Sequence, residues 1–153
     1  MADTKTPAKR PAKNVWSDEE KAAMAESARE RKASSKRSPE EERAAGEQEV
    51  RAKIASLPEP DRSMAERIHE LVTATVPDLV PRTYYGMPAY AKDGKTICFF
   101  KAKSKFKERN STFGFEQHAR LDEGDMWPVA FNIAELTPAA EQQLAKLVKK
   151  AAG

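Results

Sequence analysis

The chain has 153 residues, 39% hydrophobic and 33% charged, with a formal net charge of +3; that suits one domain of ordinary size plus a tail. No run approaches the roughly 20 apolar residues needed to span a bilayer, and the single cysteine, Cys98, excludes an internal disulfide and a cysteine-rich metal site. The start MADTKTPAKRPAK has no apolar stretch, so no secretory signal is visible and a cytoplasmic protein without a membrane partner is expected.

Residues 1–14, rich in Ala, Lys, Pro and Thr, are read as a disordered tail. Ser17 followed by Glu20 matches a capping box, predicting a helix from about Asp18 to Lys32. Its apolar face is thin, Met24 and alanines, so it must dock through Trp16, bind a partner or fray. Ser38, Pro39 and Glu41 start a second helix running to about Ser56, with Val50, Ile54 and Leu57 on one face. Pro60 opens a third, reaching about Thr75 on the stripe Met64, Ile68, Leu71, Val72 and Val76. His69 is expected on that helix's surface. VPDLVP ends it, because residues before proline leave the helical region.

After Pro81 the texture becomes β-like. RTYYG and AYAK read as short strands, Asp93-Gly94 as a hairpin turn and TICFFKA as the strongest strand. STFGFEQ is another, with Phe113 and Phe115 on one face and Gly114 opposite. A further strand runs through about Val129 to Ile133. Thr137 and Pro138 cap a last helix with Leu144, Leu147 and Val148 inward. Strands grouped between helices predict an α+β fold: an antiparallel sheet of four to five strands packed against N- and C-terminal helices, with a helical N-terminal extension. The predicted organisation is a tail at 1–14, a helical extension at 15–46 and the α+β domain at 47–153.

The segment YGMPAY (Tyr85–Tyr90), followed at hairpin distance by GKTICFF and then by STFGFE and MWPVAFNIAELTP, resembles the YdhG-like domain family of bacterial proteins over roughly Val50 to Ala151. The resemblance implies an α+β fold. Through members described as frataxin-like iron chaperones it also implies iron delivery. Where many relatives carry a longer helical insertion, this chain has only Gln117–Asp125.

Three site readings follow. For iron, the donors are the carboxylates Glu116, Asp122, Glu123 and Asp125 with His118, since labile iron favours carboxylate and imidazole ligands; ordinary polar loop composition explains the same residues. For a small ligand the candidates are Tyr84, Tyr85, Met87 and Tyr90 facing Phe99, Phe113 and Trp127, with Lys101 or Arg109 to hold an anionic group. The alternative is that they are core. Because Tyr84 and Tyr85 are adjacent, strand alternation puts one inward and leaves the other exposed or partnered. Nucleic acid would use Lys103, Lys105, Lys107 and Arg109, alternating along KAKSKFKER with Phe106 interleaved; a solvated basic hairpin is the bland alternative. No phosphate loop or hydrolytic triad is visible, and Cys98 lies mid-strand, so a non-enzymatic protein is expected. The sequence names neither the ligand nor the oligomeric state.

Overall fold

The computed structural model describes residues 15–153; the tail expected at 1–14 lies outside them. The chain order is α1 (Asp18–Ser34), α2 (Pro39–Ala55), α3 (Asp61–Thr75), β1 (Val80–Tyr84), β2 (Met87–Lys92), β3 (Lys95–Lys101), α4 (Lys103–Phe106), β4 (Ser111–Phe115), β5 (Ala130–Ile133) and α5 (Pro138–Ala152). The three expected caps are present: Ser17 accepts from the Glu20 amide, Ser38 from Glu41 and Thr137 from Ala140. Each such bond stabilises a helix start by about 1 kcal/mol.

The five strands form one antiparallel sheet in chain order, β1-β2-β3-β4-β5. The register sorts its side chains. Pro81, Tyr90, Cys98 and Phe115 lie opposite one another across four strands, and Phe100 opposite Phe113; this is the helix-bearing face. Its residues join Val50, Ile54, Ile68, Val72, Leu144 and Val148 of α2, α3 and α5 in one buried core. Arg82, Ala89, Phe99, Gly114 and Ala130 form a row on the other face. A Cβ at Gly114 would overlap the Phe99 ring, which is why a glycine stands opposite the two phenylalanines. Cys98 is fully buried, and burial pushes its thiol well up.

Two departures matter for function. The lysines of KAKSKFKER do not alternate along a strand: β3 ends at Lys101, and Lys103–Phe106 is a single helical turn closed by Lys107 at φ 52°. The basic hairpin expected at 101–109 is therefore a compact corner rather than a flat cationic face. Also, α2 runs unbroken through the domain boundary expected at 46/47, and it packs on β1 so closely that a Cβ at Gly46 would overlap the Pro81 carbonyl. Among the described residues no helix is long and apolar enough to cross a membrane.

Candidate functional site

The first hairpin turns on Tyr85 and Gly86, both at positive φ (51° and 74°), the signature of a two-residue turn that matches strand twist. Tyr85 thus leaves the strand, and the inward/outward choice expected for the tyrosine pair does not arise. Tyr84 and Tyr85 are both half-buried, edge to face at 4.6 Å, with Tyr84 6.0 Å from Phe99. Tyr84 donates a long hydrogen bond (3.4 Å) to Glu116. Burial first, then the Glu116 charge, pushes its hydroxyl up to about 12.

A bulky residue at positive φ is uncommon, and α1 supports this one. The Glu30 carboxylate accepts from the amides of both Tyr85 (3.0 Å) and Gly86 (2.9 Å). Lys105 donates to the Gly86 carbonyl (2.9 Å) and pairs with Glu26, which also meets Lys53. Glu19 pairs with Lys107. So α1 docks, but through carboxylates and not through Trp16, which is 55% exposed.

The residues expected in one aromatic cleft are divided between the two sheet faces. Tyr84 and Phe99 share the open face. Tyr90 and Phe113 are fully buried on the helix face, and Met87 is buried. Trp127 is exposed in the β4–β5 connection. Lys101 is neutralised by Glu108 (2.5 Å) and stands over the Phe106 ring. Of the nucleic-acid candidates, Lys105 and Lys107 are paired with α1 carboxylates, Lys103 is half-buried in α4 and Arg109 is exposed. The iron donors are not brought together either. Glu116 faces Tyr84, Glu123 pairs with Lys150, and His118, Asp122 and Asp125 point to solvent. Among the described residues no group of three or more His, Cys, Asp or Glu is placed to hold a metal ion.

Tyr90 instead has a partner that the sequence reading put on a surface. His69 is buried (3% exposed), with Nδ1 2.9 Å from the Tyr90 hydroxyl and Nε2 2.9 and 3.1 Å from the Glu47 carboxylate. A carboxylate only accepts, so Nε2–H donates to Glu47; in the tautomer that carries its proton there, Nδ1 accepts from the Tyr90 hydroxyl. Burial opposes ionisation of Glu47, but the bonds from His69 and Arg51 outweigh it and hold its carboxyl below the ordinary 4.5. Glu26 follows the same balance, with Lys53 and Lys105 outweighing burial. A depressed folded-state value contributes stability above the unfolded-state value, and this is lost as pH falls through the folded one. Urea midpoints measured from about pH 6 to about pH 3 are therefore expected to drop below about pH 4.5, and Glu47→Gln to flatten that drop. A drop of unchanged size in Glu47→Gln would remove this carboxylate from the acid response.

One hollow lies away from all of the expected sites. It measures about 730 Å³ and lies between the α1–α2 junction (Ser34, Arg37, Pro39, Glu42) and the open end of the first hairpin with the turn of the second (Val80, Arg82, Ala91–Gly94). Its side chains are largely committed elsewhere: Arg37 to Glu49 (2.6 Å), Lys92 to the Ala152 carbonyl (2.6 Å) and Ser34 to Glu42 Oε1 (2.8 Å). Two atoms are not. Among the described residues, the Nε of Arg82 and the Oε2 of Glu42 are buried without a hydrogen-bond partner. Arg82 spends one donor, Nη1, on the Gly94 carbonyl (3.2 Å) and meets no carboxylate among the described residues. The one available signal was Arg82 two residues before Tyr84, hence on the same face; its lack of a counter-charge is a tertiary fact. Comparison with known proteins adds nothing to this geometry: no family model, no curated protein and no solved structure matches the chain.

Proposed function

We propose that the chain is a non-enzymatic binding protein for a small ligand with an anionic group, received in the hollow beside Arg82. The observation that carries this reading is a half-buried guanidinium that has no counter-charge among the described residues, at a site of ligand size. An unsatisfied buried polar atom costs about 1–3 kcal/mol, and a carboxylate or phosphate on Arg82 would remove that cost with charge-assisted bonds. The apolar wall of Pro39, Val80 and Ala91 would take the ligand's body. The anionic-ligand expectation is thereby kept but moved from Lys101 to Arg82. The iron reading, which rests on the resemblance to YdhG-like domains, finds no assembled donor set among the described residues.

The test is ligand-observed NMR with a panel of small carboxylates and phosphate monoesters, followed by calorimetry on any hit. Arg82→Gln is expected to weaken binding about 10- to 100-fold, the worth of one charge-assisted interaction. A panel without a saturable binder, or a hit that binds Arg82→Gln equally well, would count against the reading.

A further inference from the structure

The contact between α1 and the rest of the fold has an unusual composition. A 17-residue helix docked on a domain ordinarily does so through an apolar stripe, but the only buried residues of α1 are Ala23 and Ser27. The larger apolar groups nearby, Trp16 and Met24, are 55% and 37% exposed. The hold comes from three carboxylates on one helix face. Glu19 meets Lys107, Glu26 meets Lys53 and Lys105, and Glu30 takes the two turn amides.

The receiving surface is built for these groups. In a turn with both central residues at positive φ, the amides of Tyr85 and Gly86 face one carboxylate rather than the partner strand. Lys105 is anchored from below by the Gly86 carbonyl, and a Cβ at Gly86 would overlap the ends of Glu26 and Lys105. Amides and cations therefore converge on one stripe, spaced to meet carboxylates at positions i, i+7 and i+11 of a helix. The cover over that stripe is held by polar contacts alone, apart from Ala23. The Glu19–Lys107 contact at the rim is screened by salt, Lys107 being exposed, the Glu26–Lys105 contact is more sheltered, and a lone helix without an apolar stripe is marginal. Only residues 35–38 separate α1 from α2.

We infer that this stripe is a docking site for an acidic helix of a partner protein, with α1 as the resident helix that keeps it closed. The partner's chemistry is read from the occupant: glutamates or aspartates at i, i+7 and i+11, with no apolar requirement between them. The lysines that the sequence offered to phosphate would then serve carboxylates.

The test uses the full chain and two synthetic alanine–glutamine helices, each labelled with fluorescein. One carries three glutamates at i, i+7 and i+11, the other the same three at shuffled positions. A tethered competitor acts at an effective concentration on the order of millimolar, so the unaltered chain is expected to bind weakly. Weakening the resident helix by Glu26→Gln with Glu30→Gln is expected to tighten binding of the correctly spaced peptide at least about tenfold, as a competitor is removed. In that background Lys105→Gln should reverse the gain, and added salt should weaken it. Circular dichroism and a cooperative thermal transition establish that each variant is folded. The inference is overturned if the folded double variant binds neither peptide, or both equally. It is likewise overturned if single-stranded DNA binds the double variant in preference to the peptide. Concentration-dependent self-association of the unaltered chain through this stripe would replace an outside partner by a second copy and overturn that assignment too.

Discussion

Gly46→Ala is expected to destabilise the domain by about 3 kcal/mol, although alanine is the better helix former by about 1 kcal/mol. Gly46 sits in the middle of α2 with ordinary helical geometry, so nothing in the helix itself asks for glycine. The requirement comes from β1. A methyl group at this position would occupy the place of the Pro81 carbonyl oxygen, a backbone atom that cannot rotate aside. α2 would have to lift away from β1, loosening Val50 and Ile54, which are 0% and 3% exposed in the core. Overpacking of this kind costs about 1–3 kcal/mol, and here the obstacle is main chain rather than a side-chain tip. The control is Ala44→Gly at an exposed position of the same helix, expected to cost about 1 kcal/mol through propensity alone. Urea denaturation of the two variants decides the matter. A raised midpoint for Gly46→Ala would mean that the helix–strand contact is looser than described.

The second large effect concerns the buried chain from Tyr90 through His69 to Glu47. His69→Leu keeps a good helix former and an apolar side chain at the site. It leaves the Tyr90 hydroxyl with no partner inside the core and removes one of the bonds to Glu47. The expected loss is about 3 kcal/mol, the upper end for orphaning a buried polar group. Tyr90→Phe alone strands the His69 Nδ1 and is expected to cost about 1–2 kcal/mol. Combining the two removes both ends of the bond, so the double variant should be more stable than His69→Leu alone, with a coupling of about 2 kcal/mol between neighbours in direct contact. If the two costs simply add, the hydrogen bond contributes nothing specific and the tyrosine hydroxyl has another outlet. Ligand affinity at Arg82 should not change in any of these variants, because Tyr90 faces the helices and Arg82 the opposite side of the sheet.

The fold was readable from local signals, because its elements are marked by local chemistry. Ser17, Ser38 and Thr137 cap the helices where their spacing predicted, and Asp93-Gly94 makes its turn at φ 52° and 76°. The period-2 pattern of STFGFE placed Phe113 and Phe115 together in the core. The site was much less readable. Tyr85 looked like a strand residue because RTYYG reads as a short β run; the Tyr-Gly pair is itself the turn, and the support that makes positive φ tolerable at Tyr85 comes from Glu30, 55 positions earlier in the chain. The lysines of KAKSKFKER fit strand periodicity, yet the chain needs a corner there to bring β4 back alongside β3. That corner is fixed by Asp61, buried at the start of α3, which accepts from the Ser104 amide and the Ser111 hydroxyl. His69 sits in a helix whose apolar stripe flanks it on both sides, and only the arrival of Tyr90 and Glu47 from other elements makes its burial tolerable. Arg82 carried no signal beyond its face, since a missing counter-charge is visible only after every neighbour has been placed.

The strand order has a consequence for how the chain reaches this structure. Each strand pairs with its neighbour in sequence, so the sheet can grow hairpin by hairpin, and the two turns with paired positive φ close loops of only two residues. Closing short loops costs little chain entropy compared with joining distant segments. Long-range steps remain, and the one spanning the domain is the meeting of α3 with α5, helices from opposite ends of the domain that pack against each other over the finished sheet. A topology dominated by neighbour pairing belongs to the faster-folding part of the α/β range, and its slowest event should be the docking of the C-terminal helix, not the ordering of strands.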